Sequence, residues 1–147
     1  MGSAANIRNS RVRAGKSQAE VGERLQVNPA WYQDLETRDD ELATTLTLFQ
    51  VIDLADFLGV SPGILVGAGA TDEAHIPVMG LPARIQAHLA AHGLALQEFE
   101  EELGWELDDF LRAPLKAAAE LPLEFFQALA PRLGFDWLAL VPQAVED

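Results

Sequence analysis

Apolar residues recur at helical spacing along most of the chain, and turn signals divide them into short segments. Val21 and Leu25 share one face of a segment that opens at Ser17, a good N-cap with Glu20 at the capping-box position. Gln26-Val27-Asn28 is a short break. Asn28 then caps a second segment whose first position is Pro29 and whose inner face carries Tyr32 and Leu35. The spacing over 17–36 therefore predicts two short helices joined by a tight turn. Before it, Ile7 to Ala14 reads as a helix ended by Gly15. After it, Thr47 to Leu58 reads as a fourth helix stopped by Gly59, and Ser61 caps a fifth ending near Val66.

The pattern then repeats. Residues 67–80 read as a linker, opened by small residues and punctuated by Pro77 and Gly80. Beyond it, at an offset of 78, Ile7, Gly15, Glu20, Glu23 and Leu25 match Ile85, Gly93, Glu98, Glu101 and Leu103. At an offset of 75, Leu46, Leu48, Leu54, Ala55, Leu58, Gly59, Leu65 and Val66 match Leu121, Leu123, Leu129, Ala130, Leu133, Gly134, Leu140 and Val141. The expected fold is all-α, two tandem five-helix bundles over residues 1–66 and 81–147.

Composition narrows the class. Hydrophobic residues make up 49% and charged residues 22% of 147, which fits globular domains rather than disorder. No apolar run reaches membrane-spanning length, and no signal-peptide or myristoylation pattern opens the chain, so no membrane role is expected. There is no cysteine, which excludes disulfides and thiolate metal sites; a cytoplasmic location is expected. Net charge is −13, unevenly spread: −3 over residues 1–66 and −10 over 67–147. Five of the six bases in the first half precede residue 25, so only that half offers a positive patch.

Ser17-Gln18, Leu35-Glu36 and Leu54–Pro62 (LADFLGVSP), at this combined spacing, make residues 7–66 resemble the phage-repressor (XRE, Cro-like) helix-turn-helix family. The resemblance implies a five-helix DNA-binding domain in which Gln18 holds a phosphate and the helix after Asn28 reads bases. It implies an ion pair between Arg11 and Glu36 that holds the fold. It directs Pro29, Ala30, Gln33 and Asp34 towards DNA. Ala30 offers a methyl for thymine, Gln33 suits adenine and Asp34 a cytosine amine. Arg13, Lys16, Arg38 and Asn28 complete the expected DNA-contacting set. Arg38 stands where the family often has glycine, which puts the shape of the 37–41 loop in doubt.

The second copy lacks this chemistry. Gln18 becomes Leu96, Arg11 becomes Leu89 and Glu36 becomes Pro114, while Glu98, Glu100, Glu101, Glu102, Asp108 and Asp109 surround its second recognition stretch, 106–112. Phosphates would be repelled there. That half is expected to scaffold, to dimerise or to bind protein, and Phe125, Phe126, Leu129, Trp137 and Leu140 are candidates for a homodimer seam.

No catalytic centre, metal or cofactor is expected. Family repressors often carry a serine peptidase domain, but residues 67–147 contain no serine. His88 and His92 lie four apart on a predicted helix, but no further His follows, there is no Cys, and only Glu98 or Asp72 is left as a third ligand, so the pair reads as surface histidines. Two readings follow. One is a sequence-specific transcriptional regulator that binds operator duplex DNA as a dimer. The other is an acidic interaction module on the same scaffold that binds a basic protein partner or mimics DNA.

Overall fold

In the computed structural model, residues 2–67 and 74–141 are described. They form eleven α-helices and no strand, and divide into two units, Met1–Ala70 and Thr71–Asp147. Among the described residues no helix is long and apolar enough to cross a membrane.

The first unit contains α1 (Ser3–Arg13), α2 (Gln18–Leu25), α3 (Pro29–Leu35), α4 (Glu41–Thr45), α5 (Leu48–Leu58) and α6 (Pro62–Leu65). The expectation of five helices missed α4. That single turn buries Leu42, and its short polar sequence carries no readable periodicity. Helix α5 is the clearest case of sequence specifying structure. Leu48, Val51, Leu54, Ala55 and Leu58 put one face into the core. Thr47 and Gln50 exchange capping-box hydrogen bonds at 3.2 and 3.0 Å. Past the helix, the Val60 amide donates to the Ala55 carbonyl at 3.0 Å, closing the end. Ile7, Val21, Tyr32, Leu35 and Leu65 complete a core with no exposure. The Asp39 carboxylate accepts from the Ala4 amide at 3.3 Å, so the segment after α3 caps α1 from 35 residues away.

The second unit contains a 3-10 turn (Val78–Gly80), α7 (Leu81–His92), α8 (Leu96–Leu103), α9 (Asp108–Arg112), α10 (Pro114–Ala118), α11 (Leu123–Leu133) and a 3-10 turn (Trp137–Leu140). Its α8 matches α2 in length at an offset of 78, and its α11 matches α5 at an offset of 75. One cap differs. Glu98 still accepts from the Ala95 amide at 3.2 Å, but alanine has no oxygen to return the bond that Ser17 gives.

Two expectations for this half need correction. Residues 74–80 are not an open linker. The Ile76 amide and His75 Nδ1 both engage the Ala139 carbonyl, at 2.8 and 2.9 Å, and Ile76 and Val78 are buried. The apolar side chains flanking Pro77 outweigh its punctuating effect. Residues 68–73 of the expected linker lie outside the described residues. The aromatic seam is also corrected. Phe125, Phe126 and Leu129 have no exposure, and Trp137 and Leu140 are buried. Phe125 packs edge-on against Phe126 and Trp105, with ring centres 5.0 and 5.5 Å apart, and Phe110 lies 5.4 Å away. These rings fill the unit's own core and are not free to meet a second copy.

Candidate nucleic-acid interface

Helices α2 and α3 are set by their caps. Ser17 Oγ accepts from the Glu20 amide and Glu20 Oε1 accepts from the Ser17 amide, both at 3.0 Å. These bonds hold the Glu20 carboxyl below its ordinary range, the backbone bond contributing most. The turn passes through Gln26 at φ 60°, the left-handed region, where an L side chain is disfavoured. Asn28 Oδ1 then accepts from the Trp31 amide at 2.9 Å, with Pro29 at the first helical position.

Gly22 lets the two helices approach. A Cβ there would lie 3.3 Å from the Val27 carbonyl oxygen and 3.8 Å from Tyr32 Cβ. The Val27 amide already donates to the Gly22 carbonyl at 2.9 Å, so that backbone has little freedom to retreat. This requirement was not read from the sequence, although a buried glycine inside an otherwise periodic helix is a signal for it.

Behind α3 lies a polar cluster joining three helices. Arg11 Nε and Nη2 donate to Glu36 at 2.5 and 3.1 Å, and Nη1 donates to the Lys16 carbonyl at 2.9 Å. Gln18 Nε2 donates to Glu36 at 3.1 Å. The Glu36 side chain is 2% exposed. Burial pushes its carboxyl up, but hydrogen bonding from Arg11, with help from Gln18, outweighs this and holds it below the usual carboxylate range. Burial pushes the Tyr32 hydroxyl up, and the neighbouring Glu36 carboxylate adds to the effect. The cluster gives Gln18 a partner inside the protein, where the family resemblance directs it to a phosphate.

The outer surface of α3 is chemically sparse. Pro29, Ala30 and Gln33 are exposed, while Trp31 and Asp34 are half-buried. Asn28 is exposed, but its side-chain oxygen is committed to the cap. Arg38 has no need of glycine's freedom: its amide continues the α3 tail by donating to the Asp34 carbonyl at 2.9 Å, and Gln26 is the one non-glycine at positive φ among the described residues. Its guanidinium lies 3.6 Å from Glu41.

The bases divide by how committed they are. Arg24 is held by Asp53 through three contacts of 2.7–3.2 Å and lies over the Phe57 ring at 5.1 Å. Lys16 Nζ sits over the same ring at 4.8 Å. Arg8 and Arg13 are exposed and form no ion pair with any described residue. Phe57 therefore organises two of the cations, a role the sequence did not reveal because Phe57 reads there as one more apolar position.

The second unit presents a different surface. Glu98, Glu101, Glu102, Glu106, Asp108 and Asp109 are exposed along α8 and α9. Glu100 departs from the expected acidic face, since its carboxylate turns inward to accept from the Leu107 amide at 2.6 Å. Leu89, which the sequence repeat aligns with Arg11, is buried.

Residues 4–66 match a family model described as a helix-turn-helix domain. No curated protein and no solved structure matches the chain. The capped pair α2–α3, the close approach at Gly22 and this match lead to one conclusion: over residues 4–66 the chain carries a helix-turn-helix domain.

Proposed function

We propose that the first unit binds duplex DNA in a sequence-specific way and that the protein regulates transcription, as a repressor does. The observation that carries this reading is a capped α3 with Ala30 and Gln33 exposed, at the position where helix-turn-helix domains present a helix to the major groove. Gln33 is the assigned base reader, bidentate to adenine. Phosphate contacts fall to Arg13, Lys16 and Arg38. Gln18 joins them by exchanging its bond to Glu36 for a phosphate oxygen. The second unit is read as a degenerate copy whose surface avoids phosphate. The matching lengths of α2 and α8, and of α5 and α11, support this.

The test is a binding titration against a genomic fragment library at several salt concentrations. Lys16→Ala and Gln18→Ala are expected to weaken binding to all sequences, and Gln33→Ala to cost about 1–3 kcal/mol at one base position. The salt slope should be shallow, because few cations are uncommitted. Folded protein that binds no duplex at about 50 mM salt would refute the reading. The exposed carboxylates of α8 and α9 would then favour the second reading, an acidic module that binds a basic protein or mimics DNA.

A further inference from the structure

His88 and His92 lie one turn apart on α7, and the fold brings their rings together. The ring centres are 4.4 Å apart with planes tilted by 47°. His88 also packs against Phe99 of α8, with centres 5.3 Å apart. We propose that this pair is a two-nitrogen binding site for a divalent transition-metal ion, with Cu²⁺ preferred over Ni²⁺ and Zn²⁺.

The spacing fits a chelate. An ion about 2.1 Å from one nitrogen of each ring lies about 3.2 Å from each ring centre, so two imidazoles at right angles around it have centres about 4.5 Å apart. The observed separation of ring centres, 4.4 Å, matches this value, so a rotation of the exposed His92 ring is all that is needed to turn a nitrogen of each ring to one ion. Phe99 restrains His88, which is half-buried, while His92 is exposed, so the ion has a way in. Restraining one ring in advance reduces the entropy lost on binding. His92 is the last residue of α7, where carbonyl groups leave partial negative charge that favours a cation. The −10 charge of residues 67–147 adds a general attraction for cations.

The chemistry also sets the order of preference. Among the described residues no cluster of three or more His, Cys, Asp or Glu side chains can hold a metal. Two protein nitrogens with water completing the shell do not form the closed four-ligand cage of structural zinc. Imidazole suits Cu²⁺, and the general affinity series places Cu²⁺ above both Ni²⁺ and Zn²⁺. Hard cations such as Ca²⁺ and Mg²⁺, which seek oxygen, find no suitable donors in the pair.

The experiment is calorimetric titration of the full chain, without any affinity tag, with Cu²⁺, Ni²⁺, Zn²⁺ and Mg²⁺ at neutral pH. The expected result is one saturable Cu²⁺ site, weaker Ni²⁺ and Zn²⁺ binding, and no Mg²⁺ binding. His88→Gln and His92→Gln should each weaken Cu²⁺ by at least about tenfold, because each removes half of the chelate. His75→Gln should leave it unchanged. Far-UV circular dichroism checks that the variants fold, and Cu²⁺ should slow amide exchange in α7 of the wild type but not of His92→Gln. The proposal is overturned if no saturable site is found, if His92→Gln binds as well as the wild type, or if His75→Gln abolishes binding.

Discussion

Replacing Arg11 by methionine keeps the length of the side chain but leaves Glu36 buried without its cation. The wild-type carboxylate is 2% exposed and receives two hydrogen bonds from Arg11. Breaking a buried pair from one side costs about 3–5 kcal/mol. The cost has a ceiling, because the stranded carboxylate can take up a proton. With an ordinary glutamate pKa of about 4.3, protonation at pH 7 costs about 3.7 kcal/mol, and at pH 5 about 1 kcal/mol. The lost bond to the Lys16 carbonyl adds about 1 kcal/mol at either pH. Arg11→Met should therefore destabilise the first unit by up to about 5 kcal/mol at pH 7 and by only about 2 kcal/mol at pH 5. The signs are opposite in the two proteins. In the wild type Glu36 is held low, so its contribution is full above the unfolded pKa and is lost as pH falls through the folded value. In the variant Glu36 is raised, so stability is gained as pH falls from 7. The double variant Arg11→Met/Glu36→Leu makes both positions apolar, as Leu89 and Pro114 are in the second unit. It should recover at least about 2 kcal/mol relative to Arg11→Met. Urea unfolding of the full chain measures this, with amide exchange of α2, α3 and α5 assigning the transition to the first unit. A pH-independent penalty, or a double variant as unstable as the sum of the two single ones, would refute the reasoning.

Gly22→Val should destabilise the first unit by about 1–3 kcal/mol in urea unfolding, because its side chain meets the Val27 carbonyl; wild-type stability would show that α2 and α3 are not held so close. Gln26→Gly should stabilise the first unit by up to about 1 kcal/mol by relieving the left-handed residue, as read by thermal unfolding. Ala95→Ser should complete the half-formed capping box of α8 and add about 0.5–1 kcal/mol to the second unit, visible as slower exchange of α8 amides.

Much of the fold was legible because caps and periodicity agree. Ser17, Asn28, Thr47 and Gly59 mark ends that the structure places within a residue or two of expectation, since each cap is a local hydrogen bond between near neighbours. What escaped was non-local or too short. Helix α4 is one turn, α1 starts at Ser3 because Asp39 caps it from a distant segment, and residues 74–80 are ordered by Ala139. For the candidate interface, the residue types on α3 could be named, but their environments could not. That Gln18 spends its amide on Glu36, or that Phe57 carries Lys16 and Arg24, depends on contacts between helices. The aromatic set of the second unit was misassigned for a related reason. Large apolar residues look surplus until the Phe110–Phe125–Phe126 packing shows how much volume the core must fill.

On the proposal that the second unit is a degenerate copy of the first, α1 and α7 would be equivalent helices, and the folding chain would have to sort one from the other. The Arg11–Glu36 pair makes the wrong assembly costly. If α1 occupied the place of α7, the Arg11 guanidinium would enter an apolar site that holds Leu89, with no carboxylate to meet it. If α7 occupied the place of α1, Leu89 would leave Glu36 buried and unpaired. Either exchange strands a charge, and the correct pairing strands none. On that reading the two residues would serve as an address label, directing each helix to its own half of the chain.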